Sequence, residues 1–300
     1  MTFYRKPLAL AFLLLCTSTF VFAQNRQMDY LHDSLTVFIN DTQLDSGGYL
    51  VHVGYLYSAK YSSRWGFIMK TDRAGNVLWS RTGILSSIEC KKVIIARNRD
   101  YIILQNYPYR VIRMDENGNP KWQQGYNFNS NWGDGVGDIT ELPNGNIAVC
   151  GTNYFGSVGK DVGILVMLDS AGTRIFGKSY GGALMLRTDV NSFHSITATD
   201  SNILIVGRQW HTRNALDGGL LVVADFNGNV VNTYLLDKTP YASGPDSLYK
   251  PQFSDIMVKG GKIYVNGTIS IYRNTQQDLA IVWNHRYKHQ DFFRSYSACG

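Results

Sequence analysis

The sequence predicts an all-β protein built from about five repeated four-stranded antiparallel sheets. An Asp-x-x-Gly turn occurs four times, each copy after a short apolar run such as GFIMKT or GILVML; the copies span residues 72–75, 115–118, 169–172 and 225–228. A glycine closing an alternating apolar run stands 18 residues before the turn Asp in three copies, at Gly54, Gly151 and Gly207. Four-stranded units repeated at this period are typical of a β-propeller.

Each unit contains four strand-like runs, which we label A to D. The A runs are LTVFI, KKVIIA, GDITEL, HSITAT and SDIMVK, and the B runs end at the glycine landmark. The C runs precede the turn, and the D runs after it are VLWSRT, PKWQQGY, RIFGKSY, VVNTYLL and DFFRSYS. Beyond residue 23 no segment has helical periodicity, so every element is expected to be a strand.

Two positions of the repeat have a residue other than the usual glycine or aspartate. Asn106 occupies the place of the B-strand glycine in the second unit, and Asn284 that of the turn Asp in the fifth. The turn Asp is expected to accept a backbone N–H two residues on, while the Gly supplies positive φ. Arg81, Lys121 and Lys178 lie on D runs, where charges protect an outer edge, so D is expected to be outermost.

The first residues predict a secretory signal peptide with cleavage after Ala23. Arg5 and Lys6 precede an apolar stretch over residues 8–22, which is broken by CTST and is shorter than a membrane span requires. A lipoprotein site at Cys16 is not favoured, because Leu15 stands where a small residue is usual. We therefore expect an exported protein with residues 24–300 forming a single propeller domain and with no transmembrane segment.

Composition argues against several function classes. Removal of residues 1–23 takes away two of the 29 basic residues and none of the 23 acidic ones, which leaves a net charge of +4 without charge blocks. This charge gives little support to nucleic-acid binding. Cys90, Cys150 and Cys299 have no metal-ligand spacing, and the first two are expected to be buried free thiols. No pattern calls for a cofactor or a metal, and we expect a monomer.

The turn motif resembles the D-x-x-G-N-x-x-W hairpin of secreted bacterial propeller repeats of the Bacteroidetes type, and it is more distantly similar to quinoprotein-type repeats. Trp79 and Trp122 match the motif, Phe176 is a softened match, and Asn232 departs from it. The resemblance covers about residues 35–298. It implies a propeller fold and an exported protein, and it implies no particular activity.

Binding is expected on the face that carries the B–C and D–A connections. These loops are long and rich in aromatic, amide and guanidinium groups, whereas the A–B and C–D turns are tight. Such groups suit sugar rings or peptide segments, although loop aromatics also pack between blades. The candidate ligand-binding residues are Tyr57, Tyr61, Trp132, Tyr154, Trp210, Arg213, Tyr241 and Arg273.

A catalytic alternative rests on two carboxylates of the innermost strands. Asp138 and Asp255 occupy equivalent places in their A runs, with Ser195 between them in the fourth unit. A pair of acids at the channel mouth suits general acid and base work on a glycosidic bond. Equivalent places in a repeat are also filled by descent from one ancestral unit, and an Asp there that bonds to backbone N–H groups is structural.

The sequence thus leaves two functions open. The favoured one is a non-enzymatic propeller that binds a glycan, a peptide or a surface protein on its loop face. The alternative is a carbohydrate-active hydrolase or lyase with carboxylates at the channel mouth. A quinone-type oxidoreductase is weaker still, since its docking residues are not evident.

Overall fold

The computed structural model describes residues 35–82, 89–106, 109–126, 135–155, 160–180, 189–211, 218–236, 247–273 and 276–288. In these residues the fold is all-β, with 19 strands in five antiparallel sheets, as the repeat predicts. The strands of the first two sheets are β1 (Leu35–Leu44), β2 (Leu50–Ser58), β3 (Ser63–Thr71), β4 (Val77–Thr82), β5 (Glu89–Ile95), β6 (Tyr101–Asn106), β7 (Arg110–Met114) and β8 (Pro120–Gly125).

The remaining strands continue the same pattern. They are β9 (Gly135–Glu141), β10 (Ile147–Phe155), β11 (Lys160–Leu168), β12 (Arg174–Tyr180), β13 (Asp189–Ala198), β14 (Ile203–His211), β15 (Gly218–Ala224), β16 (Val230–Leu236), β17 (Ser247–Lys259), β18 (Lys262–Arg273) and β19 (Gln276–Lys288). The first four sheets have four strands each, and the described part of the fifth has three. The predicted signal peptide and the predicted D strand DFFRSYS lie outside the described residues.

Strand order makes the fold a β-propeller. In every sheet the described strands pair in sequence order, so A is one edge, and in the four sheets with four strands D is the other. The A strands of consecutive sheets contact one another, from β1 to β5, β9, β13 and β17, which places them innermost and D outermost as predicted. Among the described residues, no helix is long and apolar enough to cross a bilayer.

The hydrophobic core lies in layers between consecutive sheets. Between the first and second sheets, for example, Val53 and Ile68 meet Val93 and Ile103, all fully buried. Corresponding layers separate the second from the third sheet, the third from the fourth, and the fourth from the fifth. Cys90 and Cys150 are buried free thiols in these layers, which confirms the prediction for both.

Each innermost strand contains one β-bulge at the same place in its repeat. The extra residue faces no partner on strand B, and the five bulged residues are Asn40, Lys91, Gly137, His194 and Ser254. A bulge bends its strand and turns a side chain away from the regular alternation. Every A strand therefore presents one irregular residue at the same height along the channel.

The bulge also explains the glycine landmark of strand B. Gly54 and Gly207 pair with the residue just before the bulge, and a Cβ at either would lie within 2 Å of a strand A carbonyl oxygen. Only glycine fits there. In the second sheet the register pairs Gln105, and not Asn106, with the residue before the bulge, so the placement of Asn106 at this landmark was wrong by one residue.

The four Asp-x-x-Gly turns form as predicted, with one addition. In the second turn Asp115 Oδ1 accepts the N–H groups of Asn117 and Asn119 at 2.9 and 2.8 Å, and Gly118 has a φ of 77°. The Asn119 side chain also donates to Asp115 Oδ2, which accounts for the Asn that follows the Gly. The turn predicted at Asn284 is wrong: Asn284 pairs with Asn266 inside β19, since no glycine follows three residues later to supply positive φ.

The aromatic side chain that recurs in the D strands packs on the turn of the next sheet. A Cβ on Gly118 would lie 2.8 Å from the Trp79 ring, and a Cβ on Gly172 would lie 2.8 Å from the Trp122 ring. Phe176 lies against Gly228 in the same way, at 2.8 Å. The motif glycine and the motif aromatic are thus two halves of one contact between neighbouring sheets.

The basic residues of the D strands have a role in addition to the one predicted. Arg81 donates to the Asn117 carbonyl at 3.3 Å and Lys178 to the Asn227 carbonyl at 2.6 Å, so both bind the turn of the next sheet. Lys121 Nζ lies 2.7 Å from the buried Asp100 carboxylate, which also pairs with Arg113. These cations tie sheets and turns together in addition to lying on an outer edge.

We expect the aromatic contact to be separable from backbone strain by comparing two turn glycines. Gly172 and Gly75 have φ values of 86° and 85°, but no atom lies within 4 Å of a Cβ on Gly75. Gly75→Ala should therefore cost only the strain of positive φ, about 1–2 kcal/mol. Gly172→Ala should cost at least about 1 kcal/mol more, because the Trp122 ring must move. Urea unfolding of both variants measures the difference, and equal losses would contradict the contact.

Candidate functional site

Three of the five bulged residues of the innermost strands bind the backbone of the next sheet. Asn40 Nδ2 donates to the Cys90 carbonyl at 2.9 Å, and Lys91 Nζ donates to the Val136 carbonyl. His194 Nδ1 lies 2.7 Å from the Phe253 carbonyl. Each accepting carbonyl belongs to the residue just before the next bulge. The channel wall is therefore connected from sheet to sheet by a repeated side-chain contact.

The acid that follows the bulge has a repeated structural role as well. Asp41 Oδ1 accepts the N–H of Thr42 at 2.9 Å, and its Oδ2 accepts the N–H of Val93 in the next sheet at 3.0 Å. Asp138 does the same with Ile139 at 2.9 Å and Ile196 at 3.3 Å. The same two bonds in two sheets indicate that this Asp serves the backbone.

Ser195 brings the two predicted carboxylates together. Its Oγ lies 2.7 Å from Asp138 Oδ2 and 2.8 Å from Asp255 Oδ1, so one hydroxyl bridges the third and fifth sheets. A serine hydroxyl has a single hydrogen and can donate to only one carboxylate at a time. Both contacts are hydrogen bonds only if one carboxyl carries a proton and donates to Oγ.

The proton is best accommodated by the buried member of the pair. Asp138 is 8% exposed, and burial raises the pKa of its carboxyl despite the nearby Lys92 ammonium and the hydrogen bond from Ser195. Asp255 is exposed. Of the two acids offered as catalytic candidates, one is therefore buried and bonded to backbone N–H groups, and only the other faces solvent.

A cavity of about 480 Å³ adjoins this triad in the channel. Its walls come from the innermost strands of the second to fifth sheets, which supply Lys91, Lys92, Gly135, His194 and Asp255, and from Thr152 of the B strand β10. Gly135 and Thr152 form the last pair of the β9–β10 ladder on the B–C side. The cavity therefore lies on the side of the bulges that leads to the long loops.

The basic groups of the cavity differ in what they already bind. Burial lowers the pKa of Lys91, whose ammonium is held by the Val136 carbonyl. Lys92 is one-third exposed, and its Nζ lies 4.0 Å from Asp138 Oδ1, beyond hydrogen-bond distance. Burial lowers the pKa of His194, so this imidazole is neutral at pH 7. Its Nδ1 must then carry the hydrogen for the Phe253 carbonyl, and Nε2 is an acceptor.

The predicted loop residues are only partly covered by the described chain. Trp132, Arg213 and Tyr241 lie outside the described residues. Four others lie at the ends of the B strands and not in loops, because strand pairing extends further than the sequence pattern indicates. These four are Tyr57, Tyr154, Trp210 and Arg273. Tyr61 is 65% exposed on the B–C turn of the first sheet. Their role as ligand contacts remains a prediction.

Sequence reasoning missed the lysines and the histidine of the cavity. Lys91 and His194 share their repeat position with Asn40, Gly137 and Ser254, and an alignment of the five A runs on the bulge would have revealed it. In the described part of the chain, no group of three or more His, Cys, Asp or Glu side chains is placed to hold a metal ion.

Comparison with known proteins is consistent with this description but adds no function. No protein-family model matches the sequence, and no curated protein matches it. Among solved structures, the chain is similar to the WD40 domain of Toxoplasma gondii coronin (TM-score 0.47, 10% identity, 83% of this chain and 60% of that one). It is also similar to the acylaminoacyl peptidase of Pyrococcus horikoshii (0.47, 8%, 82% and 46%) and to the endo-arabinase of Bacteroides thetaiotaomicron (0.44, 10%, 83% and 93%).

The chain thus spans only about half to three-fifths of the first two of these structures. The class of protein is established by the sheet topology: a β-propeller with five described sheets. What the site does must be argued from its own residues.

We expect the stability contribution of Asp138 to decrease as pH rises. A carboxyl whose pKa is raised on folding binds its proton more tightly in the folded state, so its contribution is largest below the unfolded pKa of about 3.9 and falls as pH rises through the folded pKa. The unfolding free energy of the wild type relative to Asp138→Asn should therefore fall as pH rises above about 4. Urea unfolding across this range measures the difference.

Asp225→Asn provides a control of opposite sign. Hydrogen bonds from Asn229 hold the pKa of Asp225 below its usual value. The wild type should gain stability relative to this variant as pH rises from about 3. A difference between the wild type and Asp138→Asn that does not change with pH would contradict the buried, proton-binding environment of Asp138.

Proposed function

We propose that the protein is an exported, non-enzymatic β-propeller that binds a glycan, a peptide or a surface protein on the face of its B–C and D–A connections. The observation that supports this most is the use of Asp138 by the backbone, with the same two bonds that Asp41 makes in the first sheet. The channel then has a polar cavity beneath the loop face, without a pair of free acids.

Two sequence features support the rest of the proposal. Residues 1–23 have the organisation of a secretory signal peptide, which favours an exported protein. The loop face is rich in aromatic and guanidinium groups on a rigid all-β frame, which favours recognition by stacking and hydrogen bonding. We expect the ligand to lie across this face, with one part of it above the channel.

An array of glycans and peptides tests this function. We expect the purified protein to bind a restricted set of array members, and Trp210→Ala with Trp132→Ala to weaken that binding by at least about tenfold through loss of stacking area. Trp79→Phe, at the outer edge, is a matched aromatic control and should leave binding unchanged. Unaltered binding by the doubly substituted protein would overturn the loop-face function.

The alternative, a carbohydrate-active hydrolase or lyase, keeps one supporting observation. Asp138 and Asp255 each lie within 2.8 Å of Ser195 Oγ, so the two carboxyl groups are close enough for joint acid and base work. If that function holds, Asp255→Asn should abolish turnover of a polysaccharide while leaving its binding intact. We expect reducing-end assays of the wild type to detect no such turnover.

A further inference from the structure

We propose that the channel cavity, bounded by Lys91, Lys92, Gly135, His194 and Asp255, binds a small ligand that carries one carboxylate together with hydrogen-bond donors. This inference rests on the proposed binding function and names the chemistry of the group that enters the channel. It is carried by the charges, open hydrogen-bonding positions and free space of the cavity.

The cavity wall carries more positive than negative charge. Asp255 is the carboxylate among the residues that line the cavity, and Ser195 contacts both it and the buried Asp138. Lys91 and Lys92 bring two positive charges to the same cavity. The wall therefore has a net charge of about +1, which a ligand with one negative charge would neutralise.

The cavity has a hydrogen-bond donor on one side and hydrogen-bond acceptors on the other. Lys92 contacts Asp138 only at 4.0 Å, so its ammonium has donors for a carboxylate on the second-sheet side. On the opposite side the exposed carboxylate of Asp255 and Nε2 of the neutral His194 are acceptors. A ligand that satisfies both walls has its anionic group toward Lys92 and hydroxyl or ammonium donors toward Asp255.

The cavity is large enough to hold a small ligand. No atom lies within 4 Å of a Cβ built on Gly135, so this glycine leaves part of the wall open toward the cavity. Gly137, two residues on, is fixed by packing instead, since a Cβ there would lie 2.6 Å from the Phe193 carbonyl oxygen. A volume of about 480 Å³ is within the usual range for small-ligand sites. A single sugar acid or a dipeptide fits this volume.

Two sources supply this chemistry, a uronic acid of a polysaccharide and the carboxylate of a peptide, and one calorimetric experiment separates them. The probes are D-galacturonate, its neutral counterpart D-galactose, and the dipeptide Ala-Ala, titrated into the purified protein. We expect one of the two acids to bind and galactose to bind at least about tenfold more weakly, because it lacks the charge-assisted bond to Lys92. The acid that binds identifies the source.

Two variants and two matched controls complete the test. Lys92→Met keeps the length of the side chain and removes its charge, while Gly135→Leu fills the open wall; each should weaken binding of the acid by at least about tenfold. Lys259→Met and Gly125→Leu make the same changes at exposed positions outside the cavity and should change affinity less than about twofold.

Failure of this inference is distinguishable from failure of the proposed function. If galactose binds as tightly as galacturonate, if neither acid binds, or if Lys92→Met behaves like Lys259→Met, the carboxylate site is overturned. An array ligand that is lost with the tryptophan substitutions but retained by Lys92→Met and Gly135→Leu overturns the channel site alone and leaves the loop-face function standing.

Discussion

The single bulge in each innermost strand is the constraint on which the channel depends. It places a side chain where regular alternation would not, and in three of the five sheets that side chain binds the carbonyl just before the next bulge. In the third sheet Gly137 takes the place of the side chain, because the next strand approaches too closely for a Cβ. The glycines of the B strands follow from the same bulge, since the displaced A strand leaves them no room.

This constraint also decides which residues are available for function. The acid after the bulge is drawn into backbone hydrogen bonds in the first and third sheets, so an Asp at this position is not by itself a catalytic group. In the second sheet a lysine follows the bulge, and in the fourth a serine. Lys92 and Ser195, which replace the Asp found in the first, third and fifth sheets, therefore give the channel charge and hydrogen-bonding groups of a different kind.

The sequence predicted the fold well because the repeat constrains it several times over. Turn, landmark glycine and alternating runs recur together, and the strand order follows from their sequence. Asn106 and Asn284 were misplaced, because register depends on the bulge and a turn depends on its glycine, and neither is visible in a single copy. The contact between Asp138, Ser195 and Asp255 was within reach because the three share a repeat position. The lysines were missed because their contacts with the third sheet depend on the bulge of β5, which the sequence of a single copy does not reveal.

The contact between Trp122 and Gly172 has a direction, since the first, second and third sheets each offer a ring to the turn glycine of the following sheet. Within the described residues this contact therefore always runs in the same direction, from the ring of one sheet to the glycine of the next. On the first sheet, a Cβ built on Gly75 would have no neighbouring atom within 4 Å, and Phe38 and Ile39 are about two-fifths exposed. The second and third sheets carry both halves of this contact, so a duplicated copy of either, inserted beside the original, would bring a ring and a turn glycine that match its neighbours.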